Sequence, residues 1–204
     1  MQNSEIINKS KSILKDNYGK VILPFFIVAL AQSFLTSIES IKSIAESLGV
    51  PIAILLSIVF LSVSASLTLG LASFSLSIAN NDSINSNKIS DGFSAMPKAI
   101  GLFIIYILII LIGFICFIIP GIIFTLMFAQ VFYIAADQPD TPVIDCFQQS
   151  ASIMKGHKWQ YFKLSLRYSL YFILSVFTLF IWALWLLPQM YVSTALFYKK
   201  VSEV

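Results

Sequence analysis

The sequence predicts an all-α integral membrane protein: six transmembrane helices paired as three hairpins, with amphipathic helices at the cytoplasmic interface. Three observations lead there. Hydrophobic residues are 58% of the chain and charged residues 11%, against about 25% in a soluble domain. The mean hydropathy of +0.87 is more than a soluble fold of this size can hide, so the bilayer is the solvent for most of the chain. Several runs reach the ~20 residues that carry a helix across ~30 Å of hydrocarbon. Runs such as 102–119 are apolar on every face, which excludes the alternating strands of a β-barrel. Finally, of 13 Lys and Arg residues, all but Lys42 fall on one side of the threading those runs dictate.

The chain is expected to form one membrane domain over residues 1–204. Residues 4–18 read as an amphipathic helix. Ile6, Ile7, Ile13, Leu14 and Tyr18 share one face, and Lys9, Lys11, Lys15 and Asp16 lie off it. A first span follows over 21–38. It leads into Ser33, Thr36 and Ser37 with no small-residue cleavage site, so it is expected to be retained rather than removed as a signal. The next link carries Glu39, Lys42 and Glu46 and closes on Gly49 and Pro51. A second span, 52–79, makes ~42 Å of helix and must tilt or project beyond the hydrocarbon. Polar residues 80–98 include a short amphipathic piece, 88–97.

The region 99–136 is apolar throughout and would be ~57 Å long as one helix. Pro120 and Gly121 supply a hairpin break, giving spans 99–119 and 121–136. The fourth span is then only ~24 Å, which leaves a re-entrant hairpin as the alternative. A third amphipathic helix is predicted over 141–155. Asp140 or Thr141 caps it, Pro142 suits its first turn, and Gly156 suits its stop. Lys155 and Lys158 sit at the negative end of its dipole. Spans five and six cover 161–180 and 182–198, with Pro188 inside the last and no polar residue in the turn between them. Each hairpin follows an amphipathic piece and a basic residue. That layout suggests a threefold repeat, although any hairpin needs a basic inner flank.

Six spans put both termini on one face, and the positive-inside rule makes it the cytoplasmic one. The abundance of Ile, Lys, Asn and Ser points to an AT-rich bacterial genome, hence a bacterial cytoplasmic membrane. The formal charge of +3 belongs to this bias and not to a nucleic-acid footprint. Cys116 falls in a span and Cys146 in a cytoplasmic loop, so neither a disulfide nor a metal pattern is expected.

Few residues suggest chemistry. Lys155, His157, Lys158 and Trp159 gather basic and aromatic side chains at headgroup level, suited to the inner leaflet, its anionic headgroups or a partner. The single histidine among lysines has the plainer reading of an interfacial cation. Ser62, Ser66, Gly70, Ser73 and Ser77 put small residues on one helix face: a packing seam first, a polar path second. Arg167, the deepest charge, either snorkels to the inner interface beside Lys163 or balances Asp137. Gln32 and Gln130 are the other polar side chains within spans and suit hydrogen bonds between helices. No Asp, Glu or His lies near the middle of a span, and no nucleotide, zinc or triad motif stands out. The expected protein is therefore non-enzymatic and without a cofactor or metal. It would serve as a scaffold, a regulator or a peptide-immunity protein, with a membrane-protein or peptide partner. A transporter or channel subunit for a small molecule, peptide or lipid is the alternative.

Three stretches carry a family likeness: Ile119-Pro120-Gly121-Ile122-Ile123, Tyr133-Ile134-Ala135-Ala136-Asp137-Gln138-Pro139, and Ser150 through Met154-Lys155-Gly156-His157-Lys158-Trp159 to Phe162. Weaker echoes are Gly70, Asp91-Gly92-Phe93, Pro188, Ala195 and Phe197-Tyr198. Over roughly residues 65–200 the chain resembles the bacterial membrane family known as domain of unknown function nine-seven-five, itself related to a membrane domain attached to some glycerophosphodiester phosphodiesterases. It departs from that family's pattern at Phe124, around Phe180 and at Gln189, which marks a divergent member. The resemblance implies six spans in a cytoplasmic membrane and implies no activity.

Overall fold

The computed structural model describes residues 2–15, 17–35, 49–82, 84–178 and 181–203, and among these every regular element is helical. In chain order they are α1 (Asn3–Lys15), α2 (Tyr18–Leu35), α3 (Val50–Ala79), a 3-10 turn (Ser86–Ser90), α4 (Asp91–Ser94) and α5 (Met96–Cys116). There follow α6 (Ile118–Met127), α7 (Val131–Asp137), α8 (Val143–Ile153), α9 (Lys158–Ser175), a 3-10 turn (Val176–Thr178) and α10 (Ala183–Ser202). Three stretches of the described residues are long and apolar enough to cross a membrane: Ile54–Ala79, Met96–Cys116 and Ile118–Asp137. Tyr18–Ser33 is a shorter apolar helix. The regions predicted as spans five and six form α9 and α10 but are not among those stretches. Lys158, Lys163 and Arg167 enter α9, and Lys199 and Lys200 end α10. The predicted link with Glu39, Lys42 and Glu46 lies outside the described residues.

The surface divides into two regions. Large apolar side chains stand exposed on α2, the first half of α3, the second half of α5, the start of α6, most of α9 and the start of α10. The second half of α3, from Ala65 to Ala79, is instead packed by α7, α10 and the 86–94 segment. The excess length of this helix therefore ends in protein. Within the packed half, the Phe74 ring lies 5.5 Å from that of Phe25 on α2, which in turn lies 5.3 Å from Tyr191 on α10.

α1 departs from the expected interfacial helix. Its face of Ile6, Ile7, Ser10 and Leu14 is buried, but by α9 and α10 rather than by lipid. Asn3 Nδ2 donates to the Gln160 carbonyl at 2.9 Å, and Ser193 Oγ donates to Ser10 Oγ at 2.8 Å. Amphipathic spacing marks a buried face without saying what covers it. Lys200 Nζ donates to Gln160 Oε1 at 2.8 Å, so both ends of the chain meet at one residue.

The predicted hairpin break also moves. The reversal is at Phe117, the one extended residue between α5 and α6 (φ −171°, ψ 160°), while Pro120 and Gly121 lie in the first turns of α6. Proline is tolerated there because a first-turn N–H has no helical partner to lose. Gly121 serves packing. A Cβ on it would sit 2.6 Å from the Phe114 ring, and one on Gly113 would sit 2.7 Å from Phe124, so the two glycines let α5 and α6 close on each other. Further from the turn, Phe132 of α7 packs on Phe103 and Tyr106, so the chain after Phe117 runs back along α5.

The predicted fourth span is not one helix either. Residues 128–130 interrupt it between α6 and α7. Ser150 Oγ of α8 donates to the Met127 carbonyl at 2.9 Å and satisfies a group that the interruption frees. α8 itself starts from Pro142 with no side-chain cap, not from Asp140 or Thr141.

Candidate functional site

The basic turn between α8 and α9 is built by a glycine. Gly156 takes φ +86°, a conformation that suits glycine, and turns the chain after Met154, which is fully buried. His157 occupies the N-cap of α9 without a side-chain capping bond. Lys155 and Trp159 are exposed, and His157 and Lys158 are half-buried. Trp159 stacks on Phe162 with ring centroids 5.3 Å apart, and Lys163 Nζ stands 5.5 Å from the centre of the Trp159 ring. The four residues singled out from sequence are thus neighbours on one turn, and Phe162 and Lys163 join them.

This turn closes one end of a groove of about 330 Å³ between α6 and α9. Its walls are Ile119, Ile122, Ile123, Leu126 and Phe162, with Lys158 and Trp159. A second cavity of about 330 Å³ continues it, sharing Ile122, Leu126 and Phe162 and adding Tyr106, Phe114, Thr125, Ala129, Tyr161 and Ser165. Tyr161 and Ser165 also line a third cavity of about 240 Å³, with Tyr133, Tyr168, Ser169, Tyr191 and Thr194. The furrow therefore runs from an apolar, open end to a chamber rich in hydroxyl groups. Behind the chamber, Tyr168 Oη lies 2.7 Å from Ser193 Oγ, and Tyr133 Oη donates to the Tyr191 carbonyl at 3.3 Å. Periodicity cannot announce such a chamber, because its tyrosines come from α7, α9 and α10.

A family model described as Protein of unknown function (DUF975) matches residues 52–204. The chain belongs to this family. No curated protein and no solved structure matches it. The DUF975 region runs from α3 to the C-terminus, so it contains both walls of the groove and the whole chamber. α1 and α2 precede it.

The remaining sequence candidates of this DUF975 protein lie elsewhere. Ser66, Gly70 and Ser77 are buried on α3, and Ser62 and Ser73 are half-buried. What covers the middle of this seam is the 86–94 segment, not another long helix. A Cβ on Gly70 would run into the Ile89 carbonyl, and one on Gly92 into the Ser66 carbonyl. Ser62 and Ser77 turn their hydroxyls back on their own helix, to the carbonyls of Ile58 and Phe74. Arg167 does not balance Asp137. Its Nε donates to Tyr171 Oη at 3.0 Å, while Asp137 Oδ2 accepts from Tyr198 Oη at 2.9 Å. Gln32 does bond across helices, to Thr68 Oγ1 at 3.4 Å. Gln130 does not: it is fully buried within the 128–130 interruption, and neither of its amide atoms has a partner. Lys98, which pattern reading passed over, donates to the carbonyls of Gln138 and Pro139 at 3.1 and 2.8 Å and closes the loop after α7. Among the described residues no group of three or more His, Cys, Asp or Glu could hold a metal ion.

Proposed function

We propose that this DUF975 protein is a non-enzymatic, multi-pass protein of a bacterial cytoplasmic membrane that works as a scaffold or regulator from its inner face. Both termini and the segment 137–159 lie in the cytoplasm, and three hairpins reach into the bilayer from that side. The meeting of Asn3 and Lys200 at Gln160 supports a common side for the two ends. The middle hairpin is re-entrant. Its tip, around Phe117 and Ile118, is exposed and wholly apolar. Phe114, near that tip, shares a cavity with Tyr161, next to the Gln160 that holds both termini.

The observation that carries the reading is the basic turn. Lys163 stands over the exposed Trp159, Lys158 lines the groove beside it, Lys155 lies in the same turn, and no Asp or Glu occurs between Asp145 and Glu203. Such a turn docks on an anionic leaflet, each cation adding ~1 kcal/mol near the surface. Replacing Lys155 and Lys158 with Glu tests it. In inside-out vesicles the double variant should lose protease protection of 154–159 and stay fully inserted. Unchanged protection would reduce the turn to a plain connector.

The hydroxyl-lined chamber favours a second reading, a transporter subunit for a small molecule. That reading requires uptake or efflux that depends on Tyr133, Tyr161 and Thr194.

A further inference from the structure

We infer that the groove between α6 and α9 holds one acyl chain of an anionic phospholipid, with the lipid phosphate at the basic turn. The inference rests on the proposed placement of that turn at the inner leaflet, and it adds a specific bound lipid to it. The groove walls are hydrocarbon from Ile119 to Leu126, with Phe162 opposite. Its outer side is open: Ile119 is 71% exposed and Trp159 64%. It is also continuous with lipid-suited surface, since Ile115, Phe117 and Ile118 stand exposed beyond one wall and Leu166 and Leu170 beyond the other. An occupant would therefore enter sideways from the bilayer, which selects a lipid over a soluble ligand.

Charge decides the headgroup. Lys158 lines the groove beside Trp159, Lys155 lies in the turn before it, and Lys163 stands over the Trp159 ring. Among the described residues none of the three has an acidic partner. α6 contains no Asp or Glu, and α9 contains none. A zwitterionic headgroup offers these ammonium groups no net charge, whereas an anionic one does. The tryptophan suits the same level, with its ring at the border between chain and headgroup.

The test uses the full chain in nanodiscs, with Trp182→Phe and Trp185→Phe, so that Trp159 is the remaining tryptophan. Phosphatidylglycerol or phosphatidylcholine brominated on the acyl chain is added at increasing mole fraction, and Trp159 fluorescence is read. Phosphatidylglycerol should quench at a mole fraction roughly five-fold or more lower, the ratio expected from ~1 kcal/mol or more of headgroup preference. Lys155→Gln with Lys158→Gln and Lys163→Gln should abolish that preference but keep quenching. Ile122→Phe, which fills the groove and leaves the cations in place, should also reduce the preference. Equal quenching by the two lipids would overturn the specific site while leaving the turn at the leaflet. A preference that survives the lysine changes would overturn the phosphate assignment, and one that survives Ile122→Phe would overturn the acyl-chain assignment. Quenching by neither lipid would overturn the inner-leaflet placement as well.

Discussion

Gly121 shows how far one residue can be read from sequence. Beside Pro120 it looks like a chain break, and in the fold it is a contact point, with the Phe114 ring where its Cβ would be. Both readings follow from the missing side chain, and only the neighbouring helix decides between them. Gly121→Leu should force α5 and α6 apart and cost ~1–3 kcal/mol by overpacking, read as a lower Tm in detergent. An unchanged Tm would mean that the two helices are not in contact there. Gln130 was legible as a polar group within an apolar run. That it stands unpaired at a helix interruption was not, because a sequence does not show which carbonyls and amides come near it. The basic turn was the most legible part of the site. Its four residues are adjacent in the chain, and Gly156 keeps them on one turn. The groove beside it was hidden, because Ile119 and Ile122 come from a helix far away in sequence.

At the scale of elements, the helices were readable from hydropathy and their surroundings were not. The spacing that marks α1 and α8 shows a buried face, yet protein covers much of it: Ser10 meets Ser193, and Phe147 packs 5.4 Å from Phe128. The apolar run 99–136 reads as too long for one crossing, and its helix interruptions fall at Phe117 and at 128–130, where no proline or glycine announces them. The proposed re-entrant hairpin has a test in the protein's own thiols. Cys116 is exposed near the tip, and Cys146 is buried on α8. Burial pushes the Cys146 thiol up, against the pull of Lys98 in the other direction. In membranes, Cys116 should resist charged maleimides from either side and react with an apolar one. Cys146 should react slowly with all of them until the chain is unfolded. Fast labelling of Cys116 by a charged reagent from the outer side would show that the hairpin crosses completely.

The whole molecule is organised by one asymmetry. The exposed apolar side chains lie on α2, the first half of α3, α5, α6, α9 and the start of α10, while Lys199, Lys200 and the cations of α1 belong to the ends that meet at Gln160. A cation beside an apolar run must stay where water is, and the proposed topology rests on that rule. We propose that the cation-rich side faces the cytoplasm. The most direct measurement places single cysteines at Glu46 and at Gln148 in a chain carrying Cys116→Ser and Cys146→Ser, and treats right-side-out vesicles with a membrane-impermeant maleimide. The cysteine replacing Glu46 should be labelled at once, and the one replacing Gln148 only after the membrane is permeabilised. Labelling of the Gln148 position in sealed vesicles, with protection of the Glu46 position, would contradict it.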